Sequence, residues 1–174
     1  MKAVTVDQVL SWEPCKEYTR QRVENLFAGR ETINVYDVLE MDISTADKLW
    51  AVLREDFITA EILHEFACRV AEKTLLNERK AGREPDERSW KAIEVKRKWL
   101  KGEATDSELK AARAAAGAAR VVGAVGAVAW AARSAWVAGA AGAAWAAAAA
   151  AGAAAARIEQ IKTIKELLGE VQGE

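Results

Sequence analysis

Chemistry in this chain would have to start from few side chains. The only histidine, His64, stands in Glu61-x-x-His64, half of the pattern with which helical bundles hold two metal ions. The second copy that such a site needs is missing, and Cys15 and Cys68 lie far apart without ligand spacing. His64 therefore reads as a packed or surface histidine, and no metal ion or cofactor is expected. Glu61 and Glu65 are four residues apart, so they share one helix face, which reads as a solvated acidic face. No glycine-rich phosphate loop ending in Lys-Ser or Lys-Thr occurs, and no serine sits in a nucleophile-elbow sequence. The residues assemble no catalytic set, which leaves binding as the chemistry to look for.

The best candidate for binding is the connector Gly82-Arg83-Glu84-Pro85-Asp86-Glu87-Arg88-Ser89-Trp90. It gathers two arginines, three acids and a tryptophan around a rigid proline, and Arg and Trp are the residues that anchor protein interfaces. The bland alternative is a capped helix–helix connection with Trp90 in the core. Arg83, Asp86, Arg88 and Trp90, together with Glu61 and Glu65, form the candidate partner-binding set.

The elements that must position these residues read as helices throughout, and no sheet is expected. Thr5 with Gln8 is a capping box that opens a short helix. Pro14 breaks it, and a helix over 15–28 follows with Gly29 as its C-cap. Asn34 caps one short helix, and Ser44 or Thr45 caps another. Thr59 precedes the clearest amphipathic pattern, with Ile62, Leu63, Phe66, Val70 and Leu75 at three- and four-residue spacing. Gly82 ends it. Asp86 then starts a helix that stops at Gly102, and Thr105 with Glu108 forms another capping box. An apolar stripe over 158–168 closes the pattern, with Gly169 as its stop.

Between Ala111 and Ala156 the chain is nearly pure alanine: 28 of 46 residues are Ala and 6 are Gly. Trp130, Trp136 and Trp145 interrupt the run. Alanine has the highest helix propensity, so the segment reads as helix whose small side chains admit another surface. One straight helix over 106–168 would run roughly 95 Å at 1.5 Å per residue. A compact chain of this length has a diameter of about 40 Å. A hairpin or sharp kink within 121–143 resolves the conflict. The expected fold is all-α: short N-terminal helices packed on a long Ala-rich hairpin or kinked pair. The expected organisation is an N-terminal helical region, 1–104, and an Ala-rich long-helix region, 105–174, integrated in one domain.

Charge excludes some partners. With 25 basic and 26 acidic side chains, the chain lacks the basic excess of a nucleic-acid binder. Residues 1–110 lean acidic, with 22 acids against 19 bases. Residues 134–156 carry no charge, but they hold no Leu, Ile or Phe to drive membrane insertion. The N-terminus MKAVTVDQVLSW has no apolar core or cleavage site, and the two cysteines read as free thiols. A cytoplasmic protein is therefore expected.

Several segments carry a family likeness. They are Cys15 with Leu26-Phe27, Ala46-Asp47-Lys48-Leu49-Trp50-Ala51-Val52-Leu53, and Phe66-Ala67-Cys68-Arg69-Val70-Ala71-Glu72. The connector 82–90 and the Ala/Trp-rich tail complete them. Together they resemble the immunity proteins of bacterial polymorphic-toxin loci and prophages, over most of the chain. The resemblance implies an all-helical, non-enzymatic protein that neutralises a toxin-like partner by occluding its surface, and it transfers no binding residue. Such a complex would shield part of the acidic N-terminal half. The alternative is a structural or assembly protein of a phage or mobile element, self-associating through the Ala-rich face.

Overall fold

Local side-chain chemistry starts the first four helices. Thr5 and Gln8 exchange hydrogen bonds in a reciprocal capping box that opens α1, Val6–Ser11. The Thr19 hydroxyl accepts from the Arg22 amide and opens α2, Arg20–Phe27. This helix starts later than Pro14 implies: Cys15 to Tyr18 form a turn, and the chain becomes helical only where a capping hydroxyl is available. It ends at Ala28, whose left-handed backbone has φ 49°. Asn34 and Asp37 form a second capping box for α3, Val35–Glu40. Ser44 caps α4, Thr45–Val52.

The computed structural model describes residues 2–122 and 153–173. The chain divides into two compact units, Met1–Thr59 and Ala60–Glu174. The first holds α1 to α4 around Val4, Val23, Val35, Val52 and Phe57, all fully buried. It also holds a feature absent from the helical expectation. β1, Ala3–Val4, pairs antiparallel with β2, Ile33–Asn34, setting Val4 opposite Ile33. Both are buried β-branched residues, which suit an extended backbone. Two-residue strands are too short to show alternation in the sequence.

The second unit holds α5, Ala60–Lys80, α6, Glu87–Leu100, α7, Asp106–Val122, and α8, Ala153–Gln172. α6 packs against both α5 and α7, and α8 packs against α5. The buried stripe of α5 includes Leu63, Phe66, Val70 and Leu75, as its periodicity implies. Ile164, Leu167 and Leu168 are the buried residues of the α8 stripe, whereas Ile158 is 61% exposed. α8 continues through Gly169 rather than stopping there. Thr105 and Glu108 exchange the hydrogen bonds of a capping box at the start of α7.

The structural boundary at Thr59 differs from the sequence division at residue 104. The reason is packing: α5 and α6 carry the large apolar residues that cover α7 and α8, so they belong with them. Of the Ala-rich run, the flanks enter and leave as helix in α7 and α8. The hairpin or kink expected within 121–143, with Trp130, Trp136 and Trp145, lies outside the described residues but for its first two positions. Among the described residues no helix is long and apolar enough to cross a membrane. The molecule is mostly helical, and its fold class is all-α.

Candidate partner-binding surface

The connector after α5 is tied back to α5 and, at Asp86, to itself. Gly82, at φ 79°, lets the chain reverse: its amide donates to the Arg79 carbonyl and the Arg83 amide to the Glu78 carbonyl, both at 3.0 Å. That reversal lays Arg83 on Glu78, whose carboxyl it holds below its usual range. Glu84 accepts from Arg79 at 2.8 Å, and the Arg79 guanidinium lies 5.0 Å from the Trp90 ring centroid. Asp86 caps α6 and binds Arg88 through both Nε and Nη2. The Arg88 guanidinium and backbone amide hold the Asp86 carboxyl down at about 2. Trp90 is half-buried and packs against Cys68, Ala71, Leu75 and Ile93. Arg83, Asp86, Arg88 and Trp90 are thus brought together, but Arg83 is already paired with Glu78 of α5, and Asp86 and Arg88 with each other.

Glu65 has the same fate. It accepts from Arg69 Nε at 3.1 Å and from Arg97 at 3.3 Å, and Arg97 also binds Glu72 at 2.7 Å. Arg69 turns its other two nitrogens on Glu170 of α8, at 2.9 and 2.7 Å. A chain of charges, Glu170–Arg69–Glu65–Arg97–Glu72, therefore stitches α8, α5 and α6 together. Lys73 adds a pair with Glu159. Glu61, one turn before Glu65, is exposed on α5. An open groove of about 840 Å³ along α6 is lined by Trp90, Lys91, Glu94, Arg97 and Lys98 among others. Lys91 and Lys98 share Glu94 there, whereas Glu87, Lys101 and Glu103 in the same lining make no ion pair with any described residue.

His64 stacks edge-on against Trp99, with ring centroids 6.2 Å apart. The Trp99 indole N–H donates to Asp106 at 2.7 Å, which ties α6 to the start of α7. On the same ring sits Lys96 Nζ, 3.9 Å from the centroid, on a side chain only 5% exposed. Burial lowers the proton affinity of Lys96. It also pushes the buried Cys68 thiol up to about 12, so that thiol is protonated and inert at neutral pH. Both cysteines are free, Cys15 exposed and Cys68 buried. Among the described residues no group of three His, Cys, Asp or Glu side chains could hold a metal ion.

The first unit distributes its charge differently. Residues 1–59 carry 7 basic and 11 acidic side chains, a net charge of −4. Among its described residues only Arg20, Arg22 and Arg30 pair with carboxylates. Lys2 donates to the Glu55 carbonyl at 2.8 Å and Lys48 to the Leu39 carbonyl at 2.9 Å. Arg54 lies over two indoles that meet edge-on, 4.7 Å from the Trp12 ring and 4.4 Å from the Trp50 ring. With these cations committed elsewhere, Glu13, Glu31, Asp42, Glu55 and Asp56 are exposed and make no ion pair with any described residue. All five stand in connections: after α1, before β2, between α3 and α4, and after α4. Loops held by a capped scaffold are where proteins usually place their binding groups.

Sequence reasoning missed both this set and the Trp12–Arg54–Trp50 stack. The i,i+4 spacing of Trp50 and Arg54 was the one available signal. Comparison of the chain with protein-family models, curated proteins and solved structures finds no match.

Proposed function

We propose that the protein is a non-enzymatic binding protein of the immunity type, which neutralises a basic, toxin-like protein by covering part of its surface. The observation that carries this reading is the set of five exposed, unpaired loop carboxylates on a unit of net charge −4. Charges that a protein leaves uncompensated are free to meet a partner of opposite sign, and they speed its encounter. In the connector 82–90, Arg83 and Glu84 pair with Glu78 and Arg79 of α5 and Asp86 pairs with Arg88, which supports a structural role for Arg83, Asp86 and Arg88.

The test is affinity capture of the tagged full chain from its native cell extract, with mass spectrometry and light scattering on the eluate. The expected result is a stoichiometric complex with one basic protein, dissociated by high salt. The triple substitution Glu13→Lys, Glu31→Lys, Asp42→Lys should lose it. Producing the captured protein alone should arrest growth, and the unsubstituted chain should restore it. A homo-oligomer with no captured protein would instead favour self-assembly through residues 111–156. Capture that survives the triple substitution would overturn the acidic surface as the binding site.

A further inference from the structure

Arg54 differs from the other arginines whose side-chain partners are described in the first unit. Arg20, Arg22 and Arg30 each meet a carboxylate, whereas Arg54 makes no hydrogen bond or ion pair with any described residue. Its Nε is enclosed without an acceptor. Arg54 as a whole is only partly buried, and its two terminal nitrogens are not sealed off as Nε is. The guanidinium is held in place by the faces of Trp12 and Trp50, whose own rings meet edge-on at 6.1 Å, with Phe57 behind Trp12 at 5.8 Å. Burial lowers its proton affinity, and Asp56 offsets this only through space. A partly desolvated cation without a counter-ion is costly, and an arriving carboxylate removes that cost.

We propose that Arg54, seated in the corner formed by Trp12 and Trp50, is a receptor for a side-chain carboxylate of the protein partner. This inference rests on the reading of the first unit as the binding surface. A planar guanidinium presents a fork that matches a carboxylate with two parallel hydrogen bonds. Its orientation is already fixed by the two rings, so little rotamer freedom is lost on binding. Trp and Arg packed together are also the composition of interface hot spots. The surroundings choose the source of the carboxylate. Glu13 follows Trp12, and Glu55 and Asp56 follow Arg54. These repel a free polyanion such as phosphate or nucleic acid, and they attract basic residues. The complementary feature is an aspartate or glutamate set among lysines or arginines on a basic protein.

The experiment uses the full chain, isotope-labelled, and follows the indole N–H signals of Trp12 and Trp50 and the Nε–H signal of Arg54 by NMR. The probe is a blocked tripeptide with glutamate between two lysines. Controls are the same peptide with glutamine, sodium acetate, and inorganic phosphate. The glutamate peptide should move all three signals saturably, and the glutamine peptide should bind about tenfold more weakly. Arg54→Gln should abolish the response. Arg54→Lys keeps the charge without the fork and should weaken binding about tenfold; it also serves if the glutamine variant does not fold. Equal response to the glutamine peptide, tighter binding of phosphate, or no movement of the three signals would overturn the receptor. Partner capture that is lost in the triple lysine variant but unchanged in Arg54→Gln would sink the receptor and leave the acidic-surface reading standing.

Discussion

The two units of this chain handle charge in opposite ways. The unit from Ala60 onward sets many of its carboxylates on its own cations, through pairs that join α5, α6 and α8. The unit up to Thr59 leaves loop carboxylates exposed and gives three of its cations to carbonyls and indoles. A helix of six to eight residues cannot hold itself, so the first unit relies on caps and a tight apolar core. Its surface charges are then not needed for the fold. The longer helices of the second unit present continuous faces on which i,i+4 and interhelical pairs can form, and their charges become structural.

The largest effects should come from the two cores. Phe66 and Phe57 are both fully buried, one in each unit. Truncating either to alanine should cost about 3–5 kcal/mol, read from denaturant midpoints. Hydrogen exchange should confine the loss to 60–122 and 153–173 for Phe66→Ala, and to 2–59 for Phe57→Ala. Thiol labelling gives a second check: exposed Cys15 should react in every variant, and buried Cys68 should react faster only after Phe66→Ala. A loss spread evenly over both units in either variant would break the comparison.

What the sequence made legible follows the same line. Helix starts at Thr5, Asn34, Ser44, Asp86 and Thr105 could be read because a cap joins residues two or three apart. So could the C-terminal stops at Gly82 and Gly102, whose positive φ suits glycine. The pairing of Val4 with Ile33 and of Arg69 with Glu170 joins residues far apart, and neither leaves a periodic trace. The seat of Arg54 against two indoles depends on how the ends of α1 and α4 meet, which composition does not encode. The connector 82–90 was found as a cluster of chemistry, but whether its charges face a partner or each other is a matter of geometry.

Acid should come next in size, and it should act on the second unit. Glu78, Asp86, Glu94, Glu159 and Glu170 are all held below their ordinary ranges, by Arg83, Arg88, Lys98, Lys73 and Arg69 respectively. A folded-state value below the unfolded one contributes stability above the unfolded value, and that stability fades as protons bind. Protection of amides in 60–122 and 153–173 should therefore fall between pH 4.5 and about 2. High salt should mimic part of this loss by screening. Constant protection across that range would show that the charge network carries no stability.

Single charges should sharpen the contrast. Arg69→Gln removes the link to both Glu65 and Glu170, and should lower stability by about 1 kcal/mol. Reversing one loop carboxylate of the first unit, Glu31→Lys or Asp42→Lys, should leave stability within about 0.5 kcal/mol. The sign should favour the variant slightly, because the unit starts at −4. A loss as large as that of Arg69→Gln would mean these carboxylates are structural after all.

The smallest effect tests how the two units end their helices. α5 ends on Gly82 at φ 79°, where an added Cβ would meet nothing within 4 Å. Gly82→Ala should thus isolate the backbone cost of a left-handed residue, roughly 1 kcal/mol. α2 already carries that cost, since Ala28 sits at φ 49°. Ala28→Gly should relieve it, less the extra freedom that glycine has in the unfolded chain, for a net gain of about 0.5 kcal/mol. Thermal melting of the two variants should therefore shift in opposite directions. If Ala28→Gly melts lower instead, the alanine methyl contributes packing that outweighs its strain, and the first unit leans on its core even at a helix end.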